Sequence, residues 1–122
     1  MIKSGPSTPQ AGETRPSRSQ KPRRYRRFPL DGRIAISRTG QRYPLYGRTL
    51  GISPAGISGL LAADLEVGES VHLQFALPGC SHLLAVRAVV RNRNGARYGF
   101  EFLSLSGEQR DAIGTFCDSQ TE

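Results

Sequence analysis

Apolar and polar residues alternate in short runs over most of the chain, with the period of two that is typical of half-buried β-strands. Val71, Leu73 and Phe75, for example, are separated by His72 and Gln74. The pattern predicts six strands, at residues 33–37, 43–50, 56–61, 71–77, 84–91 and 96–102. Each predicted strand therefore has one face for a core and one for solvent.

The dipeptide Asn94-Gly95 separates the last two predicted strands. It is a strong signal for a two-residue hairpin turn, because both residue types tolerate positive φ. These two strands should be antiparallel neighbours. Six short strands with turn residues between them favour a small closed barrel or a sandwich, since closure removes exposed strand edges.

The pattern changes to a helical period at the end of the chain. Ser106 can cap a helix, and Gln109 three residues later completes a capping box. The apolar residues that follow have the spacing of one helix face: Ala112, Ile113, Phe116 and Cys117. We expect one C-terminal α-helix that packs on the barrel.

The charge is concentrated at the start of the chain. The 122 residues include 17 basic and 10 acidic side chains, a formal charge of +7. Residues 1–27 hold eight basic residues and one acidic residue, so this segment carries all of the excess. Residues 1–20 contain too few apolar side chains to offset the entropy of ordering them, and we predict a disordered basic tail. Residues 21–30 form an arginine-rich loop beside the predicted barrel.

Several protein classes do not fit the sequence. No apolar run approaches the roughly 18 residues of a transmembrane helix. The first residues lack the apolar stretch of about 7 to 15 residues found in secretory signals, so we expect a cytoplasmic protein without membrane insertion. Cys80 and Cys117 are too few for a disulfide framework or a zinc site, and we expect two buried thiols.

No catalytic or metal-binding constellation is visible. His72 and His82 lack a cysteine or carboxylate at ligand spacing. Ser53 and Ser58 do not lie in the Gly-x-Ser-x-Gly pattern of a serine hydrolase. The sequence contains neither a P-loop nor a dinucleotide fingerprint. We therefore expect a binding module and not an enzyme, with no catalytic residue, metal or cofactor.

Two short motifs remain as candidates for ligand binding. Arg23 and Arg27 are four residues apart, so two guanidinium groups can close on a phosphate or on the O6/N7 edge of a guanine. Such a run can also be a solvated basic segment. In the second motif, Gly51 and Gly56 permit close backbone approach, and Ser53 can form hydrogen bonds. Alone, this motif can equally be a simple turn.

In this order, and ahead of this strand pattern, the motifs resemble those of the PilZ domain, the bacterial receptor module for cyclic di-GMP. Arg23 and Arg27 match the family's Arg-x-x-x-Arg, and Ser53 and Gly56 match its Asp/Asn-x-Ser-x-x-Gly. Residues 97–106 look like its final strand and Ser-capped helix. The resemblance covers roughly residues 21–118.

The resemblance implies a six-stranded antiparallel PilZ-like β-barrel with a C-terminal α-helix behind the basic tail. The domain would span residues 21–118, between tails at 1–20 and 119–122. The implied ligand is cyclic di-GMP, and the implied binding residues are Arg23, Arg24, Arg27, Gly51, Ser53 and Gly56. The arginine loop would close over the barrel on the ligand, and the new surface would be read by an unidentified partner protein.

Gly51 departs from the family pattern, which has Asp or Asn at this position. Loss of one hydrogen bond of this kind costs about 1 to 3 kcal/mol, or roughly 5- to 150-fold in affinity. One alternative is therefore a degenerate PilZ domain that binds no nucleotide and acts through protein contacts. Another is a nonspecific RNA- or DNA-binding module that uses the basic tail; specific nucleic-acid recognition is not expected.

Overall fold

The structure, a computed structural model, describes residues 26–120. The predicted tail at residues 1–20 and residues 21–25 of the arginine loop lie outside the described residues, as do residues 121 and 122. The described part contains seven strands and one helix: β1 (Phe28–Pro29), β2 (Arg33–Arg38), β3 (Leu45–Ser53), β4 (Gly56–Leu61), β5 (Ser70–Phe75), β6 (Leu84–Asn94), β7 (Arg97–Ser104) and α1 (Gly107–Ser119).

Strands β2 to β7 form a closed antiparallel barrel in the order β3-β2-β5-β6-β7-β4. Strand β4 pairs with β7 on one side and with β3 on the other, and this second pairing closes the barrel. The barrel contains the six predicted strands and confirms the predicted fold. Alternate residues of each strand point inward, and the interior is filled by large apolar side chains that include Ile34, Ile52, Ile57, Phe75 and Tyr98.

Strand β1 is an additional element that the sequence did not predict, because residues 21–30 were assigned to a loop. Phe28 pairs with Ile52, and Pro29 pairs with Gly51. Strand β2 pairs only with the first half of β3, as far as Arg48, so the second half of β3 has a free backbone edge on that side. Two residues are too short for a periodic pattern, and the buried side chain of Phe28 anchors them to the core.

Two turns differ in detail from the prediction. Strand β3 extends through Ser53, so Pro54 and Ala55 alone connect it to β4. The last hairpin is present, but its turn is Gly95-Ala96, one residue later than predicted. A β-bulge in β6 at residue 91 adds one residue to that strand, and the pairing then ends on Asn94 and Arg97.

The C-terminal helix begins at the predicted capping box. Ser106 accepts a hydrogen bond from the backbone N–H of Gln109, and the Gln109 side chain accepts one from the N–H of Ser106. Ile113, Phe116 and Cys117 are buried against the barrel. Burial raises the pKa of the Cys117 thiol, and the neighbouring carboxylate of helix residue 118 adds to the shift. The expectation of two buried thiols holds for Cys117, whereas Cys80 in the β5–β6 loop is half-buried.

Candidate binding groove

A shallow groove of about 460 Å³ lies on the outside of the barrel, where β1, β3, β4, β7 and β6 are neighbours. Its polar and glycine lining residues are Arg27, Gly51, Ser58, Asn92, Arg97 and Gly99. Leu50, Phe28, Pro29 and the ring of Tyr98 contribute the apolar lining. The groove therefore combines positive charge, small residues and apolar surface on one face.

The floor of the groove is a row of residues paired across neighbouring strands. Gly51 pairs with Ser58, Ser58 with Gly99, and Gly99 with Asn92. The adjacent row on these strands is buried in the core, and it consists of Ile52, Ile57, Phe100 and Val90. Because side chains alternate between the two faces of a sheet, the row of Gly51 faces outward. We call Gly51, Ser58 and Gly99 the small-residue strip.

The strip presents backbone and very little side chain. Two of its three positions lack a Cβ, which lets a bound group approach the strands closely. The Ser58 hydroxyl donates a long hydrogen bond of 3.5 Å to the carbonyl oxygen of Gly51. A flat surface of this kind is suited to a planar ring.

Two arginines stand at the groove without an acidic partner. Arg27 directly precedes β1, and the pairing of Pro29 with Gly51 holds it beside the strip. Arg97 begins β7 on the side of Asn92. Among residues 26–120, no carboxylate lies within ion-pair distance of either guanidinium group. Both cations are exposed and free to bind an anion.

The sequence-predicted site residues fall into three groups. Arg27 and Gly51 line the groove together. Ser53 and Gly56 lie close by in the chain but do not line it. Arg23 and Arg24 lie outside the described residues.

Ser53 and Gly56 both have internal contacts. The Ser53 side chain is buried, and its Oγ accepts hydrogen bonds from the N–H groups of Ala55 at 3.2 Å and Gly56 at 3.3 Å. A Cβ on Gly56 would lie 2.2 Å from the carbonyl oxygen of Phe100 on β7. These two motif residues therefore shape the β3–β4 turn and the close contact between β4 and β7.

Gly51 has more space than Gly56. A Cβ on Gly51 would lie 3.3 Å from the carbonyl oxygen of Phe28 and 3.7 Å from Ser58 Oγ. A side chain fits there once the Phe28 carbonyl shifts by a few tenths of an ångström. The glycine leaves this end of the strip without a hydrogen-bonding side chain.

Among the groove residues that sequence reasoning missed are Ser58, Asn92, Arg97 and Gly99. They come from three strands that are far apart in the chain and adjacent in the barrel. For Ser58, Gly99 and Asn92 the signal is the strand register. Ser58 pairs with Gly51, Gly99 pairs with Ser58, and Asn92 pairs with Gly99. That register depends on the bulge at residue 91, which the alternating pattern does not reveal.

A larger cavity of about 560 Å³ lies between α1 and the loop at residues 77–84. Glu108 and Asp111 stand at its rim, and none of its lining residues is a lysine or arginine. This cavity does not suit an anion. Residues 26–120 contain no group of three potential metal ligands. No helix in this part of the chain is both long and apolar enough to cross a membrane.

Comparisons with known proteins agree with the fold. The family model of the PilZ domain matches residues 21–119. No curated protein matches the sequence. Three similar solved structures are the Bacillus subtilis inhibitor of motility MotI/DgrA, the PilZ domain of Escherichia coli YcgR with c-di-GMP, and E. coli YcgR in complex with c-di-GMP.

All three likenesses are structural, at low sequence identity. MotI/DgrA is 22% identical with a TM-score of 0.69, and the alignment covers 83% of this chain and 52% of that protein. The YcgR PilZ domain is 18% identical with a TM-score of 0.64, and the coverage is 80% and 89%. The YcgR complex is 21% identical with a TM-score of 0.67, and the coverage is 81% and 46%. The chain thus spans about half the length of MotI/DgrA and of YcgR in that complex.

Proposed function

The chain belongs to the PilZ domain family, and we propose that it is a receptor for cyclic di-GMP that binds the nucleotide in the groove beside Arg27. The observation that carries the proposal is the position of β1. Its pairing with β3 brings the end of the arginine motif next to Gly51 of the second motif. Two segments that are more than twenty residues apart in the chain thereby line one groove.

The chemistry of the groove matches that of the ligand. Cyclic di-GMP carries two negatively charged phosphates and two flat guanine rings. The Arg27 and Arg97 guanidinium groups have no carboxylate partner in residues 26–120, and a guanidinium fork binds phosphate through paired hydrogen bonds. The small-residue strip between them offers a flat surface for a purine ring. Arg23 and Arg24 precede Arg27 by four and three residues, so a contact of Arg27 with the ligand keeps them within reach.

Closure of the arginine loop is the proposed switch. Residues 21–27 hold five basic side chains and no acidic one, so their mutual repulsion is relieved when they contact a dianion. Fixing each loop residue costs about 1 to 2 kcal/mol. Each hydrogen bond to a charged group returns about 1.5 to 3 kcal/mol, so several such bonds can order the loop. The ordered loop then presents a new surface to a partner protein. The cytoplasmic location and the ligand-binding roles of Ser53 and Gly56 stay predictions.

One observation favours a second candidate, a PilZ domain that acts through protein contacts without nucleotide. Gly51 removes the polar side chain that the family pattern has at this position, and the Ser53 side chain is buried with its oxygen already accepting two hydrogen bonds within the turn. Both features reduce the number of side chains that can bind the ligand.

Calorimetric titration with cyclic di-GMP at low salt separates the two candidates. The receptor proposal predicts saturable binding, and it predicts that Arg27→Ala lowers the affinity roughly tenfold or more through loss of charged hydrogen bonds. Arg87→Ala is the matched control, because Arg87 is an exposed arginine on β6 outside the groove. It removes the same charge and should leave the affinity within about twofold. No binding by the unaltered chain would overturn the receptor proposal and favour the second candidate.

A further inference from the structure

We propose that Asn92 forms the directional hydrogen bonds to the nucleobase that Gly51 cannot form. The proposal deepens the receptor function and rests on it. Among the lining residues of the groove, Asn92 is the one amide side chain, and none is a carboxylate. Its position at the end of the small-residue strip opposite Gly51 places it where a ring lying on the strip has its other edge.

A bulge turns Asn92 toward the groove. Val90 pairs with Phe100, and Asn92 pairs with the next residue, Gly99, so residue 91 is the extra one. In a regular strand Asn92 would point to the same side as Val90, which is buried in the core. The inserted residue reverses this and aims Asn92 outward, a known effect of bulges near binding sites.

Because Gly99 has no side chain, the amide group of Asn92 can occupy the space above it. A Cβ on Gly99 would lie 2.6 Å from Asn92 Oδ1, 2.8 Å from Nδ2 and 2.9 Å from Cγ. Because all three amide atoms are at similar distances from this point, the amide lies across Gly99 at the level of the strip. It therefore forms an edge of the surface on which a ring would rest.

The amide is also free to bind. It has no hydrogen-bond partner among residues 26–120, so its N–H groups and its oxygen are both available. An asparagine offers a donor and an acceptor side by side. Guanine has a matching pair on one edge, the O6 acceptor next to the N1–H donor. With strands about 4.8 Å apart, Gly51 and Asn92 are separated by roughly 14 Å across the strip, which is enough for one purine ring between them.

Substitution of Asn92 tests the proposal directly. Asn92→Ala should weaken binding of cyclic di-GMP roughly tenfold, the size expected for lost hydrogen bonds to a base. Asn94→Ala is the matched control, since Asn94 is an exposed asparagine of the same strand that does not line the groove. An amide bond to a base is not ionic, so Asn92→Ala should leave the salt dependence of binding unchanged, whereas Arg27→Ala should reduce it.

Gly99→Ala tests the same contact without touching Asn92. The three heavy atoms nearest to the new methyl group all belong to the Asn92 side chain, so the methyl group displaces the amide and leaves the strands in place. Gly99→Ala should weaken binding about as much as Asn92→Ala, and the double variant should be no weaker than either single one.

The outcomes distinguish this proposal from the receptor function. Tight binding by Asn92→Ala, or fully additive losses in the double variant, would overturn the role of Asn92 and leave the receptor function standing. No binding by the unaltered chain would overturn both proposals.

Discussion

The arginines at the groove differ from several arginines on the rest of the barrel in their contacts with carboxylates. Outside the groove, four arginines are paired with carboxylates: Arg38 with Glu69, Arg48 with Asp31, Arg91 with Glu101 and Arg93 with Asp64. At the groove, Arg27 and Arg97 have no such partner among residues 26–120. The paired arginines are neutralised within the fold, while the unpaired ones keep their charge for a ligand. Arg33, Arg42 and Arg87 lie outside the groove and also lack a carboxylate partner among residues 26–120, so the site is marked by two unpaired arginines beside the small-residue strip and not by missing partners alone.

The glycines show the same contrast. A Cβ would lie 2.2 Å from a backbone oxygen at Gly47 and at Gly56, and 2.8 Å from one at Gly59. At Gly51 the closest approach is 3.3 Å. The wall therefore needs these three glycines for close strand packing, whereas Gly51 in the groove has room for a Cβ; at Gly99, the other groove glycine, the space is taken by the Asn92 side chain and not by backbone.

Alanine substitution of the two motif glycines, Gly56 and Gly51, should give the largest difference in the free energy of unfolding. Gly56→Ala places a methyl group 2.2 Å from the Phe100 carbonyl oxygen, and neither strand can yield without opening the seam between β4 and β7. We expect a loss of about 3 kcal/mol in the free energy of unfolding, measured by urea denaturation. Gly51→Ala is the matched control and should cost less than about 1 kcal/mol. Equal losses at both positions would contradict the contrast between groove and wall.

Tyr98→Phe should have the next largest effect. The Tyr98 ring is fully buried below the groove, and its hydroxyl donates to the carbonyl oxygen of Ala63 at 2.6 Å and accepts from the N–H of Leu65 at 3.0 Å. Removal of the hydroxyl leaves both backbone groups without this partner and should cost about 2 kcal/mol of stability. Tyr46→Phe removes an exposed hydroxyl and should have no measurable effect. If Tyr98→Phe stays folded but binds cyclic di-GMP more than about twofold more weakly, the groove depends on the contacts of the Tyr98 hydroxyl with Ala63 and Leu65.

Gly51→Asn tests the groove itself and should change ligand affinity more than stability. It restores a polar side chain of the family pattern at a position with room for a Cβ. We expect cyclic di-GMP to bind about five- to tenfold more tightly, with the free energy of unfolding nearly unchanged. Gly51→Ala adds the Cβ without the amide and should not improve binding. Weaker binding by Gly51→Asn would mean that the empty space at residue 51 is itself used by the ligand.

The sequence predicts the barrel far better than the groove. Period-two alternation locates six strands, and the capping box of Ser106 and Gln109 locates the helix, because these signals are local. Strand β1 is too short to carry a period, and its place on β3 depends on the length of β2. Asn92 and Gly99 enter the groove through strand register, which a single bulge changes by one residue. The motif residues were found by resemblance, but only geometry separates the turn role of Ser53 from the open position of Gly51.

The smallest predicted effect concerns the pairing of Arg38 with Glu69, on the wall away from the groove. Burial acts to raise the pKa of Glu69, but hydrogen bonds from the Arg38 side chain at 2.6 Å and from the Glu66 N–H at 3.1 Å, together with the Arg38 charge, outweigh it. The pKa therefore lies below its ordinary value.

A lowered pKa in the folded state means that Glu69 stabilises the fold fully above its ordinary pKa, and that this contribution is lost as the pH falls through the lowered value. For a partly exposed pair we expect about 0.5 kcal/mol, so Glu69→Gln should lower Tm by about 2 °C at pH 7. The difference in Tm from the unaltered chain should shrink as the pH is lowered from 7 toward 3 and through the lowered pKa of Glu69, because the protonated carboxyl is uncharged like the amide of glutamine. Glu66→Gln, an exposed carboxyl in the same loop, is the control and should show little difference at either pH. A difference in Tm for Glu69→Gln that is independent of pH would mean that the contact of Arg38 with Glu69 stabilises the fold through packing and not through charge. The contrast with the unpaired arginines of the groove would then no longer be electrostatic.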